Sequence, residues 1–252
     1  MVQQLSPTQY ILEVSEVVRP GHTAQGRDRR RVLVREYEKV EFDGAGNVRA
    51  RAYALDFLPM HPGCRNSAAH IHSFNASYHA CANSVSLTNH SLNEGYVLLE
   101  DIGVLGDRMG TYLMNRIVGW AQNWPEADVW PINLRAGQAL GENKERRNRF
   151  YEQFGIAFDF VDPLTRVSGQ SRPMKAGELK QVGSEKYRNI EVLPLDVFLG
   201  DTATLLRDLQ SDVQRLERAN SEFGQLYQQM ITRPVATAAR LVLDRWRHFF
   251  KM

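Results

Sequence analysis

At 252 residues with 43% apolar content, the chain can bury a real core, as one large domain or one domain with an appendage. Its 31 basic and 29 acidic residues leave a net charge of +2, too weak a field to mark a nucleic-acid binder. Cys64 and Cys81 make no disulfide framework, Met1 to Tyr10 lacks a leader pattern, and no run of about 18 apolar residues marks a membrane span, so a cytoplasmic setting is expected.

Gln9 to Val18 reads as a strand or a short helix, with Ile11, Val14, Val17 and Val18 favouring the strand. His22 to Arg31 holds the cluster Arg27, Arg29, Arg30 and Arg31, either a solvated loop or a basic rim for an anion. Arg31 to Phe42 alternates, with Val32, Val34 and Tyr37 offset by charges. The turn Asp43-Gly44-Ala45-Gly46-Asn47 then returns the chain along Val48 to Leu58 as an antiparallel hairpin. Pro59 to Asn66 is a loop. Ala69 to His90 carries His70, His72, His79, Cys81 and His90. His70 with His72, and His79 with Cys81, have the spacing of one strand face. A transition-metal site, a substrate-lining wall and a purely structural role all fit; no family-specific ligand spacing is present, so no metal is assigned.

Tyr96 to Val104 is a strand-like run, and Leu105-Gly106-Asp107-Arg108-Met109-Gly110 is a glycine turn leading into a helix, Thr111 to Asn123. A strand, a glycine turn and a helix N-terminus together can hold a phosphate. Trp124-Pro125 stops the helix. A strand follows over Ala127 to Leu134, a loop over Gly137 to Glu142, and a charged helix over Asn143 to Phe154, capped by Gly155. Ile156 to Val161 reads as a strand, Pro163 to Arg188 as a long polar connection, and Asn189 to Leu199 as a last strand.

From Asp201 the pattern changes. Leu206, Leu209, Val213, Leu216, Asn220, Phe223, Tyr227 and Met230 form an a/d heptad seam over four heptads, with Asn220 at an a position. The helix over 201–231 is either a homo-oligomeric coiled coil or a stripe packed on its own domain. After Arg233-Pro234, residues 234–251 form a basic amphipathic helix that suits a membrane surface, a protein contact or a hairpin with the helix before it.

The order of elements resembles the Gcn5-related N-acetyltransferase (GNAT) superfamily. The resemblance rests on Leu99-Glu100-Asp101 followed by Ile102-Gly103-Val104, on Met109-Gly110-Thr111-Tyr112-Leu113, and on Phe150-Tyr151-Glu152-Gln153-Phe154-Gly155-Ile156. It implies an α/β (α+β) fold with a mixed, mostly antiparallel central sheet flanked by helices. That domain would cover residues 1–199, followed by a helical extension over 200–252, a helical hairpin or a coiled coil. It also implies acetyl-CoA as co-substrate, held by Ile102, Val104, Leu105, Gly106, Asp107, Arg108, Met109, Gly110, Thr111 and Asn143. Glu100 would be the base that deprotonates the amine, with Asp101 as its runner-up. Tyr151 would be the acid that protonates the departing thiolate. The turn departs from the family pattern, with Leu105 where an Arg or Gln is usual and Arg108 where a Gly is usual; Arg108 could itself pair with a phosphate. The expected function is transfer of an acetyl group to a primary amine, on a small cationic molecule or on a protein Lys or N-terminus. The alternative is a non-catalytic protein of the same fold that acts in assembly through its tail. Acylation of nucleic acid, suggested by the basic clusters, is disfavoured by the small net charge.

Overall fold

The computed structural model describes residues 1–15, 30–60, 72–87, 107–139, 143–236 and 239. The expected strand Tyr96 to Val104, Glu100 to Gly106, and His70 and His90 therefore lie outside the described residues, as does nearly all of 234–251. The chain divides into two compact units, Met1–Leu195 and Asp196–Met252.

The first unit is built on a long hairpin. β1 (Val2–Gln4) and β2 (Thr8–Val14) lie along the same edge of β3 (Arg30–Phe42), which pairs with β4 (Val48–Pro59) through the expected turn. Gly46 takes φ +85° there, and Asp43 accepts the amides of Ala45 and Asn47. β5 (His72–His79) and β6 (Ser84–Ser86) extend the sheet antiparallel, and β11 (Ile190–Pro194) closes its other edge against β2. The phase of β3 differs from the expected one. Val32, Val34, Glu36 and Val40 face inward, while Tyr37 and Lys39 line a shallow groove on the opposite face with Ala52, Ala54, Ser73 and Asn75.

α1 (Met109–Ala121) buries Leu113, Met114, Ile117 and Val118 in the same core cluster as Leu12, Val34, Leu55, Phe57 and Phe74 from the sheet. Each such side chain contributes roughly 1.5–3 kcal/mol by leaving water. After α1, β7 (Asp128–Val129) pairs in parallel with β6, the one parallel pair among the described strands. β8 (Asn133–Leu134) belongs instead to a second sheet, ordered β8-β10-β9, with β9 at Phe158–Phe160 and β10 at Gly169–Ser171. The expected single strand over Ala127 to Leu134 is thus two short strands in two sheets. Pro131 is the physical reason, because it has no N–H with which to continue the ladder.

α2 (Asn143–Glu152) ends at Gly155, whose φ of +83° is the left-handed cap expected there. The connection 163–188 is not structureless. It contains β10 and 3₁₀ turns at Ala176–Glu178 and Ser184–Tyr187, held by Arg147 to the Val167 carbonyl, Gln122 to the Leu179 carbonyl, and the Val182 amide to Asn115. The last strand also stops early. Pro194 ends its ladder opposite Tyr10, and α3 (Leu195–Thr232) begins directly, with Asp196 in its first turn where a negative charge suits the helix dipole.

The second unit, by itself, holds most of α3. None of that helix's side chains is buried, and its expected seam is exposed, from 48% at Met230 to 70% at Phe223. A further helical turn follows Pro234. Among the described residues no helix is long and apolar enough to cross a membrane.

Candidate functional site

One feature of the sheet is the place where β7 parts from β6. The Asp128 amide donates to the Asn83 carbonyl at 2.9 Å and the Trp130 amide to the Val85 carbonyl at 2.7 Å. Beyond Pro131 the strand turns to its other neighbour: the Ile132 amide donates to Ser171 Oγ, and the Ser171 amide donates back to the Ile132 carbonyl, both at 2.9 Å. From there to Leu134, the edge that faced β6 has no strand partner among the described residues. The Trp130 indole is tied to Ser84 Oγ at 2.7 Å, which fixes the point of divergence.

The N-terminus of α1 lies elsewhere on the sheet, against Arg30 at the start of β3 and Asn189 just before β11. Arg108 precedes α1 in the left-handed conformation, φ +63°, with no side-chain cap. The amides of Met109, Gly110 and Thr111 have no hydrogen-bond acceptor among the described residues, leaving the donors that a helix start offers an anion. Asp107 is buried and ion-paired with the equally buried Arg30. The Arg108 guanidinium donates to the main-chain carbonyls of Lys186 at 2.7 Å and Glu185 at 3.5 Å. Arg30, expected in a polar loop or a basic rim, is thus part of the interior at the start of β3.

The end of α2 is brought to the same helix start, since Gln153 donates to Thr111 Oγ1 at 3.4 Å. Two residues earlier, Tyr151 packs between Phe150 and Phe158, with ring centroids 5.1 and 5.5 Å away. Burial pushes its phenol above the ordinary 10.0, with Arg147 opposing the shift, so the hydroxyl stays protonated across neutral pH. The Asn143 side chain, at the other end of α2, accepts from Arg146 at 2.7 Å. Asp107, Arg108, Met109, Gly110 and Thr111 are therefore together at the beginning of α1, where Gln153 touches Thr111, while Tyr151 packs among Phe150 and Phe158 and Asn143 lies at the opposite end of α2. Glu100, Asp101, Ile102, Val104, Leu105 and Gly106 lie outside the described residues.

Within the histidine-rich stretch, the described residues His79 and Cys81 part company. His79 ends β5, while Cys81 sits exposed in the turn before β6, so the two do not share a strand face. His79 approaches Ser77 Oγ at 3.4 Å. Among the described residues no three His, Cys, Asp or Glu side chains converge as metal ligands.

One polar cluster escaped the sequence reading. Glu36 of β3 accepts from Tyr53 at 2.6 Å, from Tyr10 at 3.1 Å and from Arg116 of α1 at 2.6 Å, and Tyr112 donates to Tyr10 at 3.4 Å. The available signal was parity: Glu36 shares the face of Val32 and Val34, so a carboxylate was due on the buried side. Comparison of the chain with family models, with curated proteins and with solved structures found no match.

Proposed function

We propose that the chain is an acyl-CoA-dependent N-acetyltransferase of GNAT-like fold that moves an acetyl group from acetyl-CoA to a primary amine. The observation that carries the reading is the N-terminus of α1, whose first three amides have no acceptor among the described residues. The edge of β8, which has no strand partner among the described residues, could hydrogen-bond the pantetheine amides as an added strand would. The amides of Met109, Gly110 and Thr111 are suited to the pyrophosphate, which needs clustered N–H donors and a favourable dipole. The end of α2, linked to Thr111 through Gln153, would bring Tyr151 to the thioester.

In this mechanism Glu100 takes a proton from the acceptor ammonium. The free amine attacks the thioester carbonyl, the carbon–sulfur bond breaks, Tyr151 gives its proton to the departing thiolate, and the second proton that the nitrogen loses on becoming an amide returns to the phenolate. A phenol kept protonated by burial is the correct state for that donor. Ser84, Trp130 and Ser171 position the strands.

A second reading, a non-catalytic protein of this fold, is favoured by two observations at the turn. Arg108 is committed to main-chain carbonyls rather than turned outward, and Asp107 places a carboxylate beside the would-be phosphate site. Calorimetry with acetyl-CoA separates the readings. Binding with a Kd below about 1 mM is expected, and its absence at near-millimolar ligand removes the enzyme. Where acetyl-CoA binds, a thiol-release screen over amines should find an acceptor. Tyr151→Phe should then lower kcat by about 10²-fold or more with little change in acetyl-CoA affinity, the range of a lost general acid; an unchanged rate excludes Tyr151.

A further inference from the structure

α3 presents an apolar seam to solvent along most of its 38 residues. Its a layers are Leu206, Val213, Asn220 and Tyr227, and its d layers are Leu209, Leu216, Phe223 and Met230. Exposed apolar residues arranged as a continuous stripe differ from scattered ones, because a single partner can cover them all at once. The remaining faces are polar, with Arg207, Ser211, Gln214, Arg218, Glu222 and Gln225 turned away from the seam. This is the pattern of a helix that buries one stripe and keeps the rest in water.

We infer that the α3 seam is the interface between copies of this chain, which associate through it as a parallel, in-register coiled coil. Asn220 decides both the occupant and its direction. In a parallel arrangement each a layer meets the same a layer of its partner, so Asn220 meets Asn220 and the two amides satisfy each other. In an antiparallel arrangement a layers meet d layers, and the Asn220 amide would be buried against an apolar side chain at a desolvation cost with no return. A foreign partner would have to supply its own polar group at that one layer, whereas a second copy supplies it automatically.

Size agrees, and few flanking positions are charged. Eight seam side chains, each losing on the order of 100 Å², would bury roughly 800 Å² per copy, the extent of a standard specific interface. Among the flanking g and e positions, Leu205, Gln210, Ala219, Gly224, Leu226 and Ile231 carry no charge, so they neither repel a second copy nor require an oppositely charged partner. Asp212 also flanks the seam, and its carboxylate is paired at 3.1 Å with Arg215 on its own helix. Glu217 is the remaining charged flank, and in the parallel arrangement it lies opposite Asp212 of the other copy, a like-charge contact that opposes association and that the Arg215 partner of Asp212 reduces. This inference stands on α3 alone and is independent of the acetyltransferase reading.

The test is a light-scattering mass of the full chain at about 50 µM. An integral multiple of 28.8 kDa is expected. Leu209→Glu combined with Leu216→Glu should return the mass to that of one chain, while Gln225→Glu on the outer face should leave it unchanged. Orientation is read with Thr202→Cys, a d position near the start of the seam, in a Cys64→Ser, Cys81→Ser background. Mild oxidation should link two copies through position 202. A monomeric wild-type chain, including one whose seam is covered by its own residues 234–252, overturns the inference. So does an assembly that survives the double Glu variant. An assembly with no cross-link at position 202 overturns the parallel arrangement.

Discussion

Glu36 is a carboxylate placed where the sheet meets α1, receiving the hydroxyls of Tyr10 and Tyr53 and the guanidinium of Arg116. Buried polar groups of this kind are tolerated when every member has a partner, and they are costly when one is removed. Glu36→Ala would leave two buried phenols without their acceptor. It should lower stability by about 1–3 kcal/mol, seen as a reduced urea midpoint at unchanged slope. The same phenols predict how stability depends on alkali. Burial, reinforced by their neighbours, pushes Tyr10 and Tyr53 well above the ordinary 10.0. In the unfolded chain the phenols ionise near 10; in the folded chain they hold their protons to higher pH. Their contribution is therefore complete below pH 10 and is lost as pH rises beyond it. Thermal midpoints measured from pH 8 to 11 should fall above 10, and Tyr53→Phe should make the fall shallower. A midpoint that stays flat through pH 11 would show that the buried phenols do not carry this linkage.

At the scale of elements, α2 depends on how it ends. Gly155 adopts φ +83°, and a Cβ there would meet the Glu178 carbonyl oxygen at 3.4 Å, an ordinary contact, so space is not the obstacle. The obstacle is the backbone: a side chain in the left-handed region costs about 1–2 kcal/mol. Gly155→Ala should lose that much by denaturant titration, and Gly155→Asn should recover part of it, because Asn tolerates this conformation. Equal losses for the two variants would mean that the cost is steric. This cap was legible because a helix end is a local event, written in Phe154-Gly155 and the residues beside it. The β3–β4 hairpin was legible for the same reason, through its alternation and its Asp-Gly-Ala-Gly-Asn turn. Features set by distant partners were not. Arg30 reads as one more arginine of a polar run until Asp107, 77 positions later, is packed against it. The division of 127–134 between two sheets turns on Pro131 and on Ser171, which lies 39 residues beyond Ile132. The 163–188 connection looked open because its elements are only three or four residues long and are held by side chains from α1 and α2. For the candidate site, the helix start was readable as a glycine turn, but the contact of Gln153 with Thr111 belongs to the fold.

At the scale of the whole molecule, the two units differ in what stabilises them. Every buried apolar residue among those described lies within Met1–Leu195, from Tyr10 to Ile190, while α3 contributes none. A unit of that length is large enough to sustain its own core. A chain ending at Gly200 should therefore fold and unfold cooperatively, with a Tm within about 4 °C of the corresponding transition in the full chain, since 1 kcal/mol shifts Tm by about 2–4 °C at this size. A fall of more than about 10 °C would mean that residues beyond 200 help to hold the first unit. Concentration supplies an internal control. If α3 is the seam between copies, melting of its helix should move to higher temperature as the chain is concentrated, because association stabilises only the folded helix. The transition of the first unit, whose core is closed within itself, should not move, and in the shortened chain the concentration dependence should vanish while that transition remains.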